Sequence, residues 1–135
     1  MKRQMINPGL TREAHYDRLH FSAATRVGDM IWVSGQVGID LATNTVGQGM
    51  EAQARQAFAN LKTILEAAGA GMANIVELMT FHTDLRGDIA EFVKVKDECI
   101  SDRYPSWTAV GVSQLARPEF LVEIRVVAVA GCGTS

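Results

Sequence analysis

Apolar and polar residues alternate most clearly toward the C-terminal end of the chain. Trp107 to Val112 and Leu121 to Val129 read as two strands, with Arg117-Pro118-Glu119 in the connecting loop. In the second strand Val122, Ile124, Val126 and Ala128 share one face, and Glu123, Arg125, Val127 and Val129 share the other. In the first, Thr108, Val110 and Val112 oppose Trp107, Ala109 and Gly111. Upstream, Phe21 to Val27 predicts a strand, Gly28-Asp29 a tight turn, and Met30 to Ser34 a second strand that is apolar almost throughout. Met1 to His20 and Gly35 to Gly49 read as irregular. Asn74 to Thr83 predicts one more strand.

Two segments have helical periodicity. Ala54, Phe58, Leu61, Leu65 and Ala68 form one stripe along Glu51 to Ala68, and Gly69 supplies a left-handed stop. After a turn at Asp84 to Gly87, Asp88 reads as the cap of a second helix, with Glu91 completing an acidic capping box. Its buried stripe is Ile89, Phe92, Val95 and Cys99, and Pro105 disfavours helical geometry in Tyr104. The order β-β-α-β-α-β-β predicts a single α+β domain over residues 1–135, a mixed sheet with both helices on one face. The other face is expected to carry Trp107, Val127 and Val129. So apolar a face predicts a partner subunit.

Composition adds limits. Hydrophobic residues at 47%, charged residues at 21% and a formal net charge of −2 describe an ordinary globular chain. No block of like charge suggests nucleic acid or a membrane surface, and no apolar run approaches a membrane span or the core of a signal peptide. The expected location is the cytoplasm. Cys99 and Cys132 form no CxxC and no cluster with histidine, so no metal is expected, and Cys99 reads as a buried free thiol. His-x-x-x-His, GxSxG and the P-loop are all absent. Gly69-Ala70-Gly71 follows a helix and reads as its cap. His82, within a strand, reads as structural. Glu123 and Arg125 interrupt an apolar strand, which fits either a solvated, salt-bridged face or a site at a subunit boundary.

Four segments together resemble the reactive-intermediate deaminase family (Rid, also YjgF or RidA-like, with some members called L-PSP endoribonucleases). They are Met30 to Gln36 (MIWVSGQ), Gln53 to Gly69 (QARQAFANLKTILEAAG), Phe81 to Leu85 (FHTDL) and Val122 to Ala130 (VEIRVVAVA). They span most of the chain beyond Phe21. The resemblance implies a chorismate-mutase-like fold and a homotrimer with a small-molecule ligand in each cleft between subunits. It also implies cofactor-free hydrolysis of imines and enamines to carbonyl compounds and ammonia.

The resemblance carries over residue by residue. Glu123 stands at the water-positioning glutamate, and Ser34 and Gly35 at the substrate pocket. Phe21 falls where many members have tyrosine, Ala109 where a small residue or cysteine is frequent, and Val93 where asparagine is common. Trp107 stands where the deaminases place the arginine that binds a substrate carboxylate, and Thr108 follows it. Tryptophan has neither the charge nor the five donors of arginine. Its ring either fills the space as packing or, with Glu123, offers a face to a cationic or uncharged planar molecule. Arg125, on the face of Glu123, and Arg117 on the adjacent loop are candidate substitutes as anion contact, and pairing of Arg125 to Glu123 is the more economical alternative. Three readings follow: an imine or enamine deaminase with altered substrate choice; a non-catalytic trimer that binds an aromatic or cationic metabolite; and, last, an endoribonuclease, for which the chain has no basic groove and no His/Lys acid–base pair.

Overall fold

The computed structural model describes residues 1–133. Its strands are β1 (Arg3–Ile6), β2 (Ala24–Val27), β3 (Met30–Val37), β4 (Ile39–Asp40), β5 (Thr45–Val46), β6 (Ile75–His82), β7 (Ser106–Gly111) and β8 (Val122–Val129). Helix α1 spans Gly49–Ala67 and α2 spans Leu85–Cys99. The main sheet has the order β1-β2-β3-β8-β6-β7, antiparallel except for the parallel β6–β7 pair. The expected α+β architecture is present.

The core lies between this sheet and the two helices. Ala54, Ala57, Phe58, Leu61, Ile64 and Leu65 of α1 are buried against Ile31 and Val33 of β3 and Val122, Ile124, Val126 and Ala128 of β8. Helix α2 adds Phe92 and Val95, and its Phe92 ring stacks on Phe58 with centroids 5.9 Å apart. Such a two-layer arrangement buries one stripe of each helix and one side of each strand. It leaves the far side of the sheet uncovered.

Several boundaries differ from the sequence reading. The segment read as irregular at the N-terminal end contains β1 and a π-helical turn at Arg12–Asp17. Strand β1 is mostly exposed and owes its form to pairing with β2, so no apolar pattern announces it. Strand β3 runs on through Gly35 to Val37, and β4 and β5 form a small hairpin within the expected loop. Asp88 does not cap α2. The helix begins at Leu85, with Asp84 at the N-cap position and the Asp88 amide bonded to the Asp84 carbonyl at 3.1 Å. Asp88 instead turns its carboxylate inward toward His82.

The larger correction concerns Trp107, expected on the uncovered face. Strand β7 takes its register from β6, with Leu78 beside Trp107 and Thr80 beside Ala109. Leu78 and Thr80 are buried toward the helices, so Trp107 and Ala109 point there too. Alternation separates a strand into two sets, but it does not say which set faces the core. The uncovered face carries Met30 and Trp32 of β3, Val127 and Val129 of β8, and Met79 and Phe81 of β6. Met30 and Trp32 remain 38% and 36% exposed.

Candidate active site

Strand β8 is central in the sheet, between β3 and β6, and it places Glu123 opposite Val37 on one side and Phe81 on the other. Val33 pairs with Val126 and Gln36 with Ile124, so Ser34 and Gly35 together face the single residue Arg125. This is a β-bulge, a device that bends a strand and re-aims its neighbours. Gly35 leaves room for the Glu123 side chain: a Cβ on it would lie 2.5 Å from Glu123 Oε2 and 2.7 Å from Glu123 Cδ. The Glu123 carboxylate therefore rests on bare backbone.

Glu123 is half-buried and has no hydrogen-bond or ion-pair partner among the described residues. Burial pushes its carboxyl above the usual glutamate range, because the charged form loses water and gains no compensating donor. Such a group is poised to take a proton from a water or a substrate. Arg125, two residues along the same face, does not pair with it. The guanidinium reaches Glu77 diagonally across the strand pair at 3.6 Å, Met79 being the direct neighbour of Arg125.

The bulge is anchored from the N-terminal side. Ser34 Oγ donates to the Ser22 carbonyl at 2.7 Å, and the Ser34 amide to the Ala23 carbonyl at 2.9 Å. Asn7 Oδ1 receives the Ala23 amide at 2.9 Å. Phe21, next to Ser22 in the chain, is half-buried and stacks on His15 with ring centroids 4.7 Å apart. On the other side, buried Gln53 of α1 accepts from the Leu121 amide at 2.8 Å and donates to the carbonyls of Glu119 at 2.7 Å and Gly47 at 3.1 Å. That side chain fixes the loop from which β8 starts.

The structure thus joins Glu123, Gly35 and Ser34, with Arg125 alongside. Thr108 is exposed on the same face but lies in β7, with β6 between it and β8. Trp107 and Ala109 lie on the opposite, helix-covered side, so within one protomer Trp107 and Glu123 do not share a pocket. Trp107 Nε1 donates to Thr80 Oγ1 at 2.9 Å, and its ring lies 5.8 Å from that of Phe92. Thr80 Oγ1 is also 2.8 Å from His82 Nε2. His82 is fully buried, and burial holds its imidazole below the ordinary value. His82 Nδ1 faces Asp88 Oδ1 at 3.8 Å, too far for a hydrogen bond, and neither atom has another partner among the described residues. Burial, then the nearby Asp84 and Glu91, pushes the Asp88 carboxyl up. Arg117 is engaged elsewhere: its Nη2 donates to Asn44 Oδ1 at 3.3 Å, and its guanidinium lies over Phe120.

Sequence reasoning missed Gln53, Thr80 and Lys96. Lys96 is 9% exposed and stands over the Trp107 ring, 5.1 Å from the centroid. Its spacing of four from Phe92 was the available signal, because it puts the lysine on the buried side of α2.

The chain matches the family model described as Endoribonuclease L-PSP over residues 11–130. It is 42% identical over 118 residues to the RutC family protein YjgH of Escherichia coli, covering 87% of this chain and 88% of that one. It is 33% identical over 98 residues to a 2-iminobutanoate/2-iminopropanoate deaminase of Dermatophagoides farinae, covering 72% and 76%. The solved structure of the YjgF-family protein Rv2704 from Mycobacterium tuberculosis superposes with a TM-score of 0.83 at 27% identity, covering 96% of this chain and all of that one. The chain belongs to the Rid/YjgF family and has its chorismate-mutase-like fold. Among the described residues no helix is long and apolar enough to cross a membrane.

Proposed function

We propose that this protein is a cytoplasmic homotrimer that hydrolyses reactive imines and enamines in clefts between its subunits. The observation that carries this reading is Glu123: half-buried, unpartnered, its carboxyl raised by burial, and seated on the Gly35 backbone at an uncovered apolar face. The relatives named as 2-iminobutanoate/2-iminopropanoate deaminases support the same chemistry.

The reaction needs no cofactor. Glu123 takes a proton from a water whose oxygen bonds to the imine carbon, and the C=N electron pair moves to nitrogen, which takes that proton back from the Glu123 carboxyl. The carbinolamine then collapses: Glu123 takes its O–H proton and passes it to the amino nitrogen, the C–N bond breaks with its electron pair going to nitrogen, and ammonia departs with the carbonyl compound left behind. Holding the water within reach of the carbon supplies much of the acceleration.

A cleft between subunits also reconciles the two sides of the sheet. In a head-to-tail ring each interface joins two different surfaces. Glu123 of one protomer and the Trp107 edge of its neighbour then border a single cleft, although they are separated within each chain. Tryptophan in the arginine position implies an altered grip on the substrate. The binding-module reading is less well supported, because the indole N–H is spent on Thr80 and an ammonium already stands over the ring. A cationic ligand there would meet like charge. Ammonia release from a panel of freshly generated imines tests the proposal. Release above the buffer blank supports it, and no release from any of them contradicts it.

A further inference from the structure

A cavity of about 360 Å³ lies between the Pro8–Thr11 segment, the turn that follows β4, and α1. It is on the helix side of the sheet: Gln36, on its wall, pairs with Ile124, whose side chain is in the core. Glu123 faces the other way, so the cavity is apart from the site described above. Leu10, Leu41 and Ile64 give it apolar walls.

Its polar walls are unevenly satisfied. Gln36 is only 4% exposed, and its Nε2 donates to the Ser34 carbonyl at 3.2 Å. That bond fixes which end of the amide is which, because only the NH2 can donate to a carbonyl. Gln36 Oε1 then has no partner among the described residues. An acceptor withdrawn from bulk water and left open is costly. Asn60, by contrast, is spent: its Nδ2 donates to the carbonyls of Val37 at 3.2 Å and Ile39 at 2.9 Å, and its Oδ1 accepts from Gln56 at 2.9 Å.

Charge is one-sided as well. Asp40 borders the cavity, accepts the Ala42 amide on Oδ1 at 2.9 Å, and has no ion-pair partner among the described residues. No described lysine, arginine or histidine lines the same space. Arg18 and Arg117 border a different cavity, beyond Leu10 and Leu41. An open acceptor, an unpaired carboxylate and apolar walls call for hydrogen-bond donors and positive charge at one end of a ligand and hydrocarbon at the other.

We infer that this cavity binds a small primary amine in its ammonium form, with the ammonium donating to Gln36 Oε1 and the Asp40 carboxylate and the hydrocarbon lying on Leu10, Leu41 and Ile64. An ammonium brings three donors and no acceptor, which matches what the two residues leave open. The inference is independent of the deaminase reading.

The test is an NMR titration of the assembled protein at neutral pH with n-butylammonium, 1-butanol and butanoate, following the side-chain amide of Gln36. The expected result is saturable millimolar or tighter binding of n-butylammonium that shifts this signal, with 1-butanol weaker by about three- to tenfold and butanoate weaker still. Asp40→Asn keeps an acceptor for the Ala42 amide and removes the charge, so it should weaken n-butylammonium by about three- to tenfold and leave 1-butanol unchanged. Gln36→Met should weaken n-butylammonium too, read on the Ala42 amide, and Glu123→Gln should not. No saturable binding, or binding that leaves the Gln36 amide unmoved, overturns the inference. So does equal affinity for butanoate, or undiminished binding of n-butylammonium by Asp40→Asn. Loss of binding in Glu123→Gln would place the amine in the Glu123 site instead.

Discussion

Glu123 lies across the backbone of Gly35, so close that a methyl group on Gly35 would meet the carboxylate within 2.5 Å of Oε2. The bulge at Ser34-Gly35 and the central position of β8 create this contact together. It separates function from folding, because the group that must yield is the free end of a flexible side chain.

Gly35→Ala is accordingly expected to displace Glu123 and to leave the core intact. Imine hydrolysis should fall by about ten- to a hundredfold, since misplacement by an ångström is enough to cost that much. Stability should change by no more than about 1 kcal/mol. Steady-state ammonia release and urea unfolding of the same preparation check both halves. A large loss of stability with activity kept would show that the contact serves packing.

The raised carboxyl of Glu123 gives a pH signature. Its folded-state pKa lies above the unfolded value of about 4.3, so in that window the native state binds more protons than the unfolded chain. Stability from this group is present below the unfolded pKa and is lost as pH rises through the folded one. Glu123→Gln should therefore melt higher than the wild type at neutral pH, and the gap should close toward pH 4. Thermal unfolding across that range checks it. A gap that does not vary with pH would mean that ionisation of Glu123 carries no cost.

The uncovered face predicts assembly. Trp32 and Val127 are direct cross-strand neighbours on it, and Trp32 is 36% exposed in the single chain. Sedimentation equilibrium at micromolar concentration should give a trimer, and Trp32→Lys should shift it toward monomer, because a charge in an apolar interface core is strongly disfavoured. A monomeric wild type would remove the basis for an inter-subunit site.

The legible parts of the sequence were those with strong periodicity. The α1 stripe, the buried set of β8 and the position of Glu123 all follow from spacing or from VEI and SGQ. Strand β1 was invisible because pairing, not burial, holds it. The β3 extension was hidden by Gly35, whose presence reads as a loop although it serves a bulge. Trp107 was assigned to the wrong face because its orientation depends on the β6 register, which Trp107 to Val112 does not encode. Lys96 was overlooked despite its spacing from Phe92, because a lysine next to a buried stripe usually extends to solvent, whereas here its ammonium stands over the Trp107 ring.

The most direct measurement is ammonia release from freshly generated 2-iminobutanoate by the wild type, by Glu123→Gln and by an arginine-containing relative. The wild type is expected to exceed the uncatalysed rate and to fall about ten- to a hundredfold below the relative, as replacing a bidentate charge-assisted grip predicts. Glu123→Gln should lose about a hundredfold more. Ammonia release at the blank rate by the wild type, or equal rates for the wild type and Glu123→Gln, would contradict the account.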